Sequence, residues 1–333
     1  MADFIGFGGL NVDYSYRVRE GFSGGFSPGK EREVRSSPDT LQRQLIHEQL
    51  LGSSGGGSAA NVMVALARMG AHTGYIGRVG NDSEGKRLVG ELSQEGVDIT
   101  AITKGSNRSG MIFALQTQGV RDRDMRWFPG ENDTISPEDI DYDYINKARF
   151  LHLTSFAGDL PFHAQIQVTQ RINPRIVVSL DPGQVYAEQR GLTGLAPILE
   201  RSDLIFPSEE EVELLTGLDY RKGAKQLLSF GRPKTVCVTL GKQGCFVVAR
   251  DGENKYQEFF SPPIVIVSEE QIADTIGAGD VFAAGFLMAR ALGKPLEQCA
   301  AFANKVAAKS ITGKGRMNYP TRADAFELVT LNN

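Results

Sequence analysis

The sequence predicts an α/β protein in which helices cover both faces of a central, mostly parallel sheet. The first observation is that short apolar segments of strand length alternate with amphipathic segments of helix length along most of the chain. The second is that the strand segments are apolar throughout, which is typical of strands buried on both faces. Ligands on such sheets bind beyond the carboxyl ends of the strands, so we expect the functional site there.

The predicted elements follow one another in a regular order. Residues 2–9 form the first predicted strand, and the segment 58–70 has apolar residues at helical spacing before a glycine, which is how a core helix ends. Length alone does not separate one large domain from two, but the continuing alternation favours a single domain over residues 1–333. Further strands are predicted at 73–79, 149–153, 175–180, 204–206 and 235–240, and further helices at 83–95, 162–172, 209–216 and 281–292.

Two segments interrupt the alternation. Residues 13–54 are polar and rich in glycine and charge, and residues 102–129 alternate apolar and polar side chains. We interpret both as a small β-rich lid inserted into the main domain, and a surface loop without regular structure is the alternative. Residues 39–51, inside the first segment, are predicted to contain an additional short helix.

Composition bears on the partners and the compartment. A formal charge of −4 and a pI of about 5.7 leave no broad basic surface for the phosphates of nucleic acid. No run approaches the roughly 18 apolar residues of a membrane span, and the first residues show no signal sequence, so we expect a cytoplasmic protein. Cys237, Cys245 and Cys299 lie in apolar surroundings without metal-ligand spacing, as reduced core thiols do.

Three short motifs are weak when their surroundings are considered. GFGGLN at 6–11 begins like a dinucleotide fingerprint but lacks the third glycine and a helix directly after it. GNDSEGKR at 80–87 nearly spells a Walker phosphate loop, yet Arg87 stands where a hydroxyl must bind magnesium. His47 lacks the second histidine that a zinc site needs. We therefore expect no hydride transfer, no P-loop and no zinc site of this kind.

The stretch DTIGAGD at 274–280 is a better candidate for chemistry. Its small residues leave the backbone amides of a turn unobstructed at the start of a helix, where the helix dipole also favours negative charge. Such a turn can hold the charge on a transferred phosphoryl group, and Asp280 follows near enough to accept a proton from an attacking hydroxyl. The alternative is that Asp280 only caps a core helix.

Two long segments resemble the ribokinase-like (PfkB) family of carbohydrate and nucleoside kinases. They are GGGSAANVMVALARMGAHTGYIGRVGNDSEGKRL at 55–88 and DTIGAGDVFAAGFLMA at 274–289, and the resemblance extends from about residue 5 to residue 320. It implies a ribokinase-like fold with a β-lid over the substrate. It also implies an ATP-dependent phosphotransferase that moves the γ-phosphate to a hydroxyl of a sugar or sugar-like molecule.

The resemblance further assigns the catalytic and acceptor-binding residues. It implies that Asp280 is the general base and that Gly277, Ala278 and Gly279 form the anion hole. The acceptor hydroxyls are implied to contact Asn11, Asp13, Gly56, Gly57 and Asn61.

The nucleotide and metal residues follow from the same resemblance, with one departure. The family usually has Asn-x-x-Glu to organise water around Mg²⁺, whereas this chain has Ser208 in place of the asparagine and retains Glu211. We expect altered metal or phosphate affinity without loss of chemistry. Asp274 and Thr275 stand where many relatives bind a monovalent cation such as K⁺. The implied nucleotide contacts are Ser208, Thr239, Gly241, Asn304 and Gly313.

The acceptor remains open between a sugar and a nucleoside. A sugar phosphate would need a cation in the lid, whereas a nucleobase would stack on lid aromatics. Exposed lid strands would also suit a homodimer. A sensor that binds nucleotide or sugar without turnover is the alternative from a different class. The candidate cations are Arg17, Arg19, Arg108, Arg121, Arg123 and Arg126, and the candidate aromatics are Tyr14, Tyr16, Phe113 and Trp127.

Overall fold

Two sheets organise the chain. The computed structural model describes residues 2–28, 31–34, 37–120, 123–229, 231, 234–250, 255–263, 265 and 267–330. Within these residues, nine strands form a large sheet and five form a small one. In chain order the strands are β1 (Phe4–Phe7), β2 (Asn11–Arg17), β3 (Glu31–Glu33), β4 (Gln49–Gly56), β5 (Thr73–Gly80), β6 (Ile102–Gly105), β7 (Gly110–Gln116), β8 (Asp124–Phe128), β9 (Phe150–Thr154), β10 (Val177–Asp181), β11 (Leu204–Ile205), β12 (Thr235–Thr239), β13 (Cys245–Arg250) and β14 (Tyr256–Ser261).

The large sheet is mostly parallel, as the sequence predicts. Its strands lie in the order β14-β13-β12-β11-β10-β9-β1-β5-β6. The strands from β12 to β6 pair in parallel, and only β13 and β14 among the described strands of this sheet add antiparallel pairs. The carboxyl ends of the parallel strands therefore share one edge, where the site is expected.

Helices cover both faces of this sheet. Strand β1 illustrates the layers, because Phe4 packs in an apolar cluster with the helices at 58–68, 278–291 and 296–310. Ile5 and Phe7 pack in a second cluster with the helices at 159–171, 191–199 and 220–229. No helix in the described ranges is both long and apolar enough to cross a membrane. The helices are α1 (Pro38–Leu45), α2 (Ser58–Arg68), α3 (Ser83–Gln94), α4 (Tyr142–Ile145), α5 (Asp159–Arg171), α6 (Gly183–Gln189), α7 (Gly191–Leu199), α8 (Glu209–Thr216), α9 (Tyr220–Ser229), α10 (Ala278–Ala291), α11 (Leu296–Ser310) and α12 (Arg322–Thr330).

The small sheet is built from the two interrupting segments. Its order is β3-β8-β7-β2-β4, and its own apolar cluster includes Phe113 from β7 and Leu41 from α1. The additional short helix predicted within 39–51 is α1. The segment 102–129 is not wholly part of this sheet, because its first strand, β6, pairs with β5 at the edge of the large sheet. We refer to the small sheet and α1 as the lid.

One boundary differs in a way that concerns the site. Helix α10 begins at Ala278, three residues before the predicted start, so that Asp280 lies inside the first turn. Gly277 precedes the helix with φ of 78°, a left-handed conformation that glycine adopts at little cost. The apolar run from Val281 led the sequence analysis to a later start, because small residues carry little periodic signal.

Candidate active site

The candidate site lies between the lid and the carboxyl ends of the parallel strands. An inner cavity of about 280 Å³ is lined by residues of β2, α2 and α10 together with the lid. An outer cavity of about 310 Å³ adjoins it, and the two cavities share Asp13 and Asn61. A ligand bound in this position would contact residues of both sheets.

Asp280 is held by side chains of α2. The hydroxyl of Ser58 donates to Oδ1 at 2.5 Å, and Nδ2 of Asn61 donates to Oδ2 at 2.7 Å. Asp280 is only 8% exposed, yet it lines the inner cavity. Its carboxylate is thus engaged by a neighbouring helix and makes no side-chain cap on α10, so capping does not account for it.

Burial sets the protonation of Asp280. It raises the pKa of this carboxyl to about 6, against the opposing effects of the hydrogen bonds from Ser58 and Asn61 and the charge of Arg316. A carboxylate with a pKa near 6 is ionised at neutral pH and is still basic enough to accept a proton. The position therefore suits a general base.

The glycine turn before α10 leaves an open surface. A side chain at Gly279 would meet nothing within 4 Å, whereas one at Gly277 would lie 3.0 Å from the hydroxyl of Tyr319. The amide of Ala278 donates to Thr275 O at 3.3 Å, and the described part of the chain offers no acceptor for the amides of Gly277 and Gly279. These two amides remain available to an anion at the start of the helix.

Strands β2 and β4 bring together the residues that are predicted to bind the phosphoryl acceptor. Asn11 pairs with Gly56 across these strands, and Asp13 lies two residues further along β2. A side chain at Gly56 would lie 2.0 Å from Oδ2 of Asp13, so glycine makes room for the carboxylate. Oδ1 of Asp13 is buried without a hydrogen-bond partner, and burial raises the pKa of this carboxyl to about 7. A substrate hydroxyl would satisfy this oxygen.

Gly57 connects the lid to α2 in a conformation that a side chain would disturb. Its φ is 106°, and an added Cβ would lie 2.1 Å from the carbonyl oxygen of Gly9. The close approach brings the loop after β1 against the start of α2, from which Ser58 and Asn61 reach Asp280. Asn11, Asp13, Gly57, Asn61 and Asp280 all line the inner cavity.

The residues that are predicted to bind the nucleotide lie on several separate elements. Ser208 and Thr239 form a bridge between the ends of β11 and β12, and Gly241 follows in an exposed turn with φ of 54°. The side-chain amide of Asn304 instead donates to the backbone oxygens of 261 and 262 at 3.0 and 3.2 Å. Gly313 is buried against Asn318. The roles of these residues toward a nucleotide remain predictions.

The predicted magnesium residue lies at the start of α8. Glu211 accepts the Ser208 amide at 2.9 Å, and the Ser208 hydroxyl accepts the Glu211 amide at 3.2 Å, so the two residues cap the helix reciprocally. Burial raises the pKa of Glu211, and burial with the charges of Glu211 and Asp280 raises that of Asp181. No three His, Cys, Asp or Glu side chains in the described ranges lie close enough to bind a metal alone.

The predicted monovalent-cation residues have partners within the protein. Oδ1 of Asp274 lies 3.4 Å from Nη2 of Arg123 and accepts the Ile276 amide at 3.2 Å. Thr275 is exposed, and its carbonyl accepts from Ala278. The K⁺ site therefore remains a prediction, with a lid arginine already beside its carboxylate.

The lid side chains divide between structural contacts and the site. Arg126 is buried beside Asp124, and Arg19 pairs with Glu48. Arg108 pairs with Asp39 of α1 and with Asp82 and Glu84 at the start of α3, whereas Arg17 is exposed. Arg123 lines the outer cavity, and Arg121 lies outside the described residues. Trp127 lines the inner cavity, whereas Tyr14 and Phe113 stack on each other and Tyr16 packs against the apolar cluster of the lid.

Four residues in the site were not found from the sequence. Asn132 donates to Leu10 O and to Oδ1 of Asn11, both at 3.0 Å, and so fixes the start of β2. Ser58 of α2 donates to Asp280 of α10, and Arg316 donates to Asn61 of α2. No local sequence pattern marks either contact. Asp181 ends a parallel strand, and the rule that sites lie at such ends would have found it.

Comparisons with known proteins identify the family. A family model described as pfkB family carbohydrate kinase matches residues 33–322. A relative from Archaeoglobus fulgidus, described as an uncharacterized sugar kinase, is 36% identical over 267 residues that cover 78% of this chain and 100% of the relative.

Solved structures share the fold across nearly the whole chain. Adenosine kinase from Sinorhizobium meliloti superimposes with a TM-score of 0.83 at 21% identity, covering 99% of each chain. A sugar kinase from Pyrococcus horikoshii in complex with ATP gives a TM-score of 0.75 at 22% identity, covering 98% of this chain and 99% of the other. Because the family model spans most of the sequence and the archaeal relative matches along its full length, this chain belongs to the PfkB family of carbohydrate kinases and is a kinase that acts on an alcohol group.

Proposed function

We propose that the protein transfers the γ-phosphate of ATP to a hydroxyl of a sugar or sugar-like acceptor, with Asp280 as the general base. The observation that carries this proposal is the position of Asp280, which faces the inner cavity directly beside the free amides of the glycine turn. A base and an anion-binding turn in one cavity are what phosphoryl transfer to an alcohol requires. The ATP complex of the Pyrococcus horikoshii relative supports ATP as the donor.

The acceptor is expected to lie on β2, α2 and the start of α10. Asp13 and Asn11 accept its hydroxyls, and Asn61 keeps Asp280 oriented through the bond to Oδ2. The attacking oxygen bonds to the γ-phosphorus as the bond from that phosphorus to ADP breaks, and the hydroxyl proton passes to Asp280. The amides of Gly277 and Gly279 stabilise the charge on the transferred group. The lid excludes water that would otherwise hydrolyse ATP.

Mg²⁺ fits the acidic residues Asp181 and Glu211. Burial, together with the charges of Glu211 and Asp280, raises the pKa of Asp181, and a divalent cation would favour its ionised form. Because these carboxylates do not form a metal cluster by themselves, Glu211 and Asp181 are expected to hold the ion through water. When bound with ATP, the ion would neutralise phosphate charge.

The pH dependence of kcat/KM should show an acid limb. Burial raises the pKa of Asp13 to about 7 and that of Asp280 to about 6, and both groups act in their ionised forms. Activity should therefore fall as pH decreases through 7 and fall more steeply below 6. Steady-state rates between pH 5 and 9 measure this dependence. The kcat/KM of an Asp13→Asn variant should fall in a single step near pH 6, since only Asp280 then titrates in this range. A constant kcat/KM down to pH 5 would contradict these roles.

The central test of the proposal is acceptor-dependent formation of ADP. A coupled assay with Mg-ATP would use pentoses, hexoses, their monophosphates, nucleosides and myo-inositol, each with and without potassium. ADP formation that requires one acceptor class supports the kinase and identifies the class. If none of these alcohols stimulates ADP formation although ATP binds, the proposal fails.

Two alternatives rest on specific residues. A nucleoside kinase is favoured by Trp127 in the inner cavity, which offers a stacking surface for a base, and by the fold shared with adenosine kinase. A sensor without turnover is favoured by Ser208 in place of the family asparagine. The assay distinguishes them, because a nucleoside kinase consumes ATP only with nucleosides and a sensor binds without consuming it.

We expect a homodimer that forms through the lid. Strand β4 is an edge strand of the small sheet, and it and the preceding turn expose Leu50 (51% exposed) and Ile46 (71% exposed). Pairing of two lids would cover these side chains and the edge. Leu50→Lys should raise the dissociation constant of the dimer at least tenfold, on the order expected for a charge at an apolar interface. Sedimentation velocity measures this.

The control for the dimer is Leu160 on α5, which is 45% exposed. Leu160→Lys removes a similar apolar surface from a different face, and the dimer should persist. A monomeric wild-type protein at micromolar concentration would contradict the proposal.

We also propose that the protein works in the reducing cytoplasm. Cys237, Cys245 and Cys299 are all buried free thiols. Burial raises the pKa of Cys237 and of Cys299, which keeps both protonated.

A further inference from the structure

The outer cavity lies on the lid side of the acceptor site. Its wall includes Leu51 and Ser53 of β4, Ser15 of β2 and Gln116 of β7, all of which belong to the lid. The predicted nucleotide residues Ser208 and Thr239 do not line it. Since the outer cavity shares Asp13 and Asn61 with the inner one, a group bound there adjoins the acceptor hydroxyls.

Basic side chains from two distant parts of the chain meet at this cavity. Arg123 lies directly before β8 of the lid, and Lys314 and Arg316 lie in the loop after α11. The acidic residues in the same wall are Asp13 and Asp274, so the lining has three basic and two acidic side chains. Arg123 is already paired with Asp274 at 3.4 Å. The excess positive charge therefore belongs to the loop with Lys314 and Arg316.

The guanidinium group of Arg316 is held at one nitrogen by a hydrogen bond. Its Nε donates to Oδ1 of Asn61 at 3.0 Å, while Nδ2 of the same asparagine donates to Asp280. Neither terminal nitrogen of Arg316 has a hydrogen-bond partner among the residues that the structure describes. A guanidinium that is oriented by one bond and open at its other donors is well prepared for two parallel bonds to an oxyanion.

We propose that the acceptor carries a phosphate ester, which Arg316 binds in the outer cavity together with Lys314 and Arg123. This inference rests on the proposed function, because it identifies the class of acceptor as a sugar phosphate. A neutral acceptor would leave the donors of Arg316 and Lys314 without a partner once the lid excludes water. A phosphate offers three acceptor oxygens and the opposite charge, which suits several cations better than one carboxylate would.

The test compares sugar phosphates with their parent sugars. Calorimetric titration of the full-length protein would use ribose 5-phosphate, ribose 1-phosphate and fructose 6-phosphate against ribose and fructose. At least one phosphate should bind about tenfold or more tightly than its parent, as expected for charge-assisted hydrogen bonds. Arg316→Gln and Lys314→Gln should each reduce that preference several-fold, whereas Arg171→Gln, on the distant α5, should not change it.

Kinetics decide whether the bound phosphate belongs to the acceptor. Arg316→Gln should raise the KM for the sugar phosphate more than the KM for ATP. A larger increase in the KM for ATP, or equal binding of phosphates and parent sugars, would overturn the inference. Turnover of a neutral sugar without any preference for phosphates would overturn it and leave the proposed kinase intact. A phosphate preference that depends on Arg316, without phosphoryl transfer, would overturn the proposed function and leave the anion site.

Discussion

Replacing Asp280 with asparagine should lower kcat by about 100-fold or more, because the variant has no base to accept the hydroxyl proton. The fold should persist. The Ser58 hydroxyl, which donates to Oδ1 of Asp280, can rotate to accept a bond from the new amide, and Asn61 can still donate to its oxygen. The loss should therefore appear in turnover and not in stability.

Three measurements separate this loss from a general defect. Circular dichroism melting checks the fold, and calorimetry with ATP checks binding of the nucleotide. Asp143→Asn is the matched control, since Asp143 is an exposed carboxylate on α4 and its loss should leave turnover at the wild-type level. Wild-type turnover in the Asp280 variant would remove Asp280 from the mechanism.

Replacing Gly57 with alanine should lower the free energy of unfolding by about 3 kcal/mol or more. The estimate combines the cost of holding a non-glycine residue at a sparsely populated backbone conformation with the cost of overpacking. The φ of 106° is the source of the conformational cost. The added Cβ, 2.1 Å from the carbonyl oxygen of Gly9, is the source of the overpacking cost. Relief of the contact would displace α2 and with it the partners of Asp280, so activity should fall as well.

Denaturation in urea measures the effect on stability. Gly90→Ala is the control, because Gly90 lies inside α3 and an added Cβ meets nothing within 4 Å. That substitution should raise the free energy of unfolding by about 0.5–1 kcal/mol, since alanine loses less backbone entropy in a helix. Equal stability of the Gly57 variant and the wild type would show that the loop relaxes without cost.

Local patterns carried most of the fold and one part of the site. Apolar periodicity predicted six of the nine strands of the large sheet to within two residues, but it did not predict β13 or β14 and it placed β6 in the lid. The contiguous motif around Asp280 identified the base candidate. The same patterns could not show which lid side chains face the cavity, because alternation marks a strand and leaves open which face is buried. Trp127 and Arg126 are only one position apart, yet one lines the cavity and the other is buried beside Asp124.

Residues whose contacts join distant parts of the sequence could not be predicted from local patterns. Arg316 reaches the site through Asn61, and Asn132 through Asn11, and neither pair is marked by spacing or composition. Asn304 was predicted as a nucleotide contact, but its side-chain amide donates to the backbone carbonyl oxygen of residue 261. A motif assigns a residue to a region, whereas the use of its hydrogen bonds depends on the neighbours that the fold supplies.

The links to Asp280 and Asn61 span most of the polypeptide. Ser58 lies 222 positions from Asp280, and Asn61 lies 255 positions from Arg316. During synthesis, α2 leaves the ribosome long before the segment that carries Asp280 and Arg316. A nascent chain that ends before residue 280 therefore carries Ser58 and Asn61 without Asp280, the carboxylate to which both donate. The hydrogen bonds that hold Asp280 and Asn61 can form completely only after residue 316 has been synthesised.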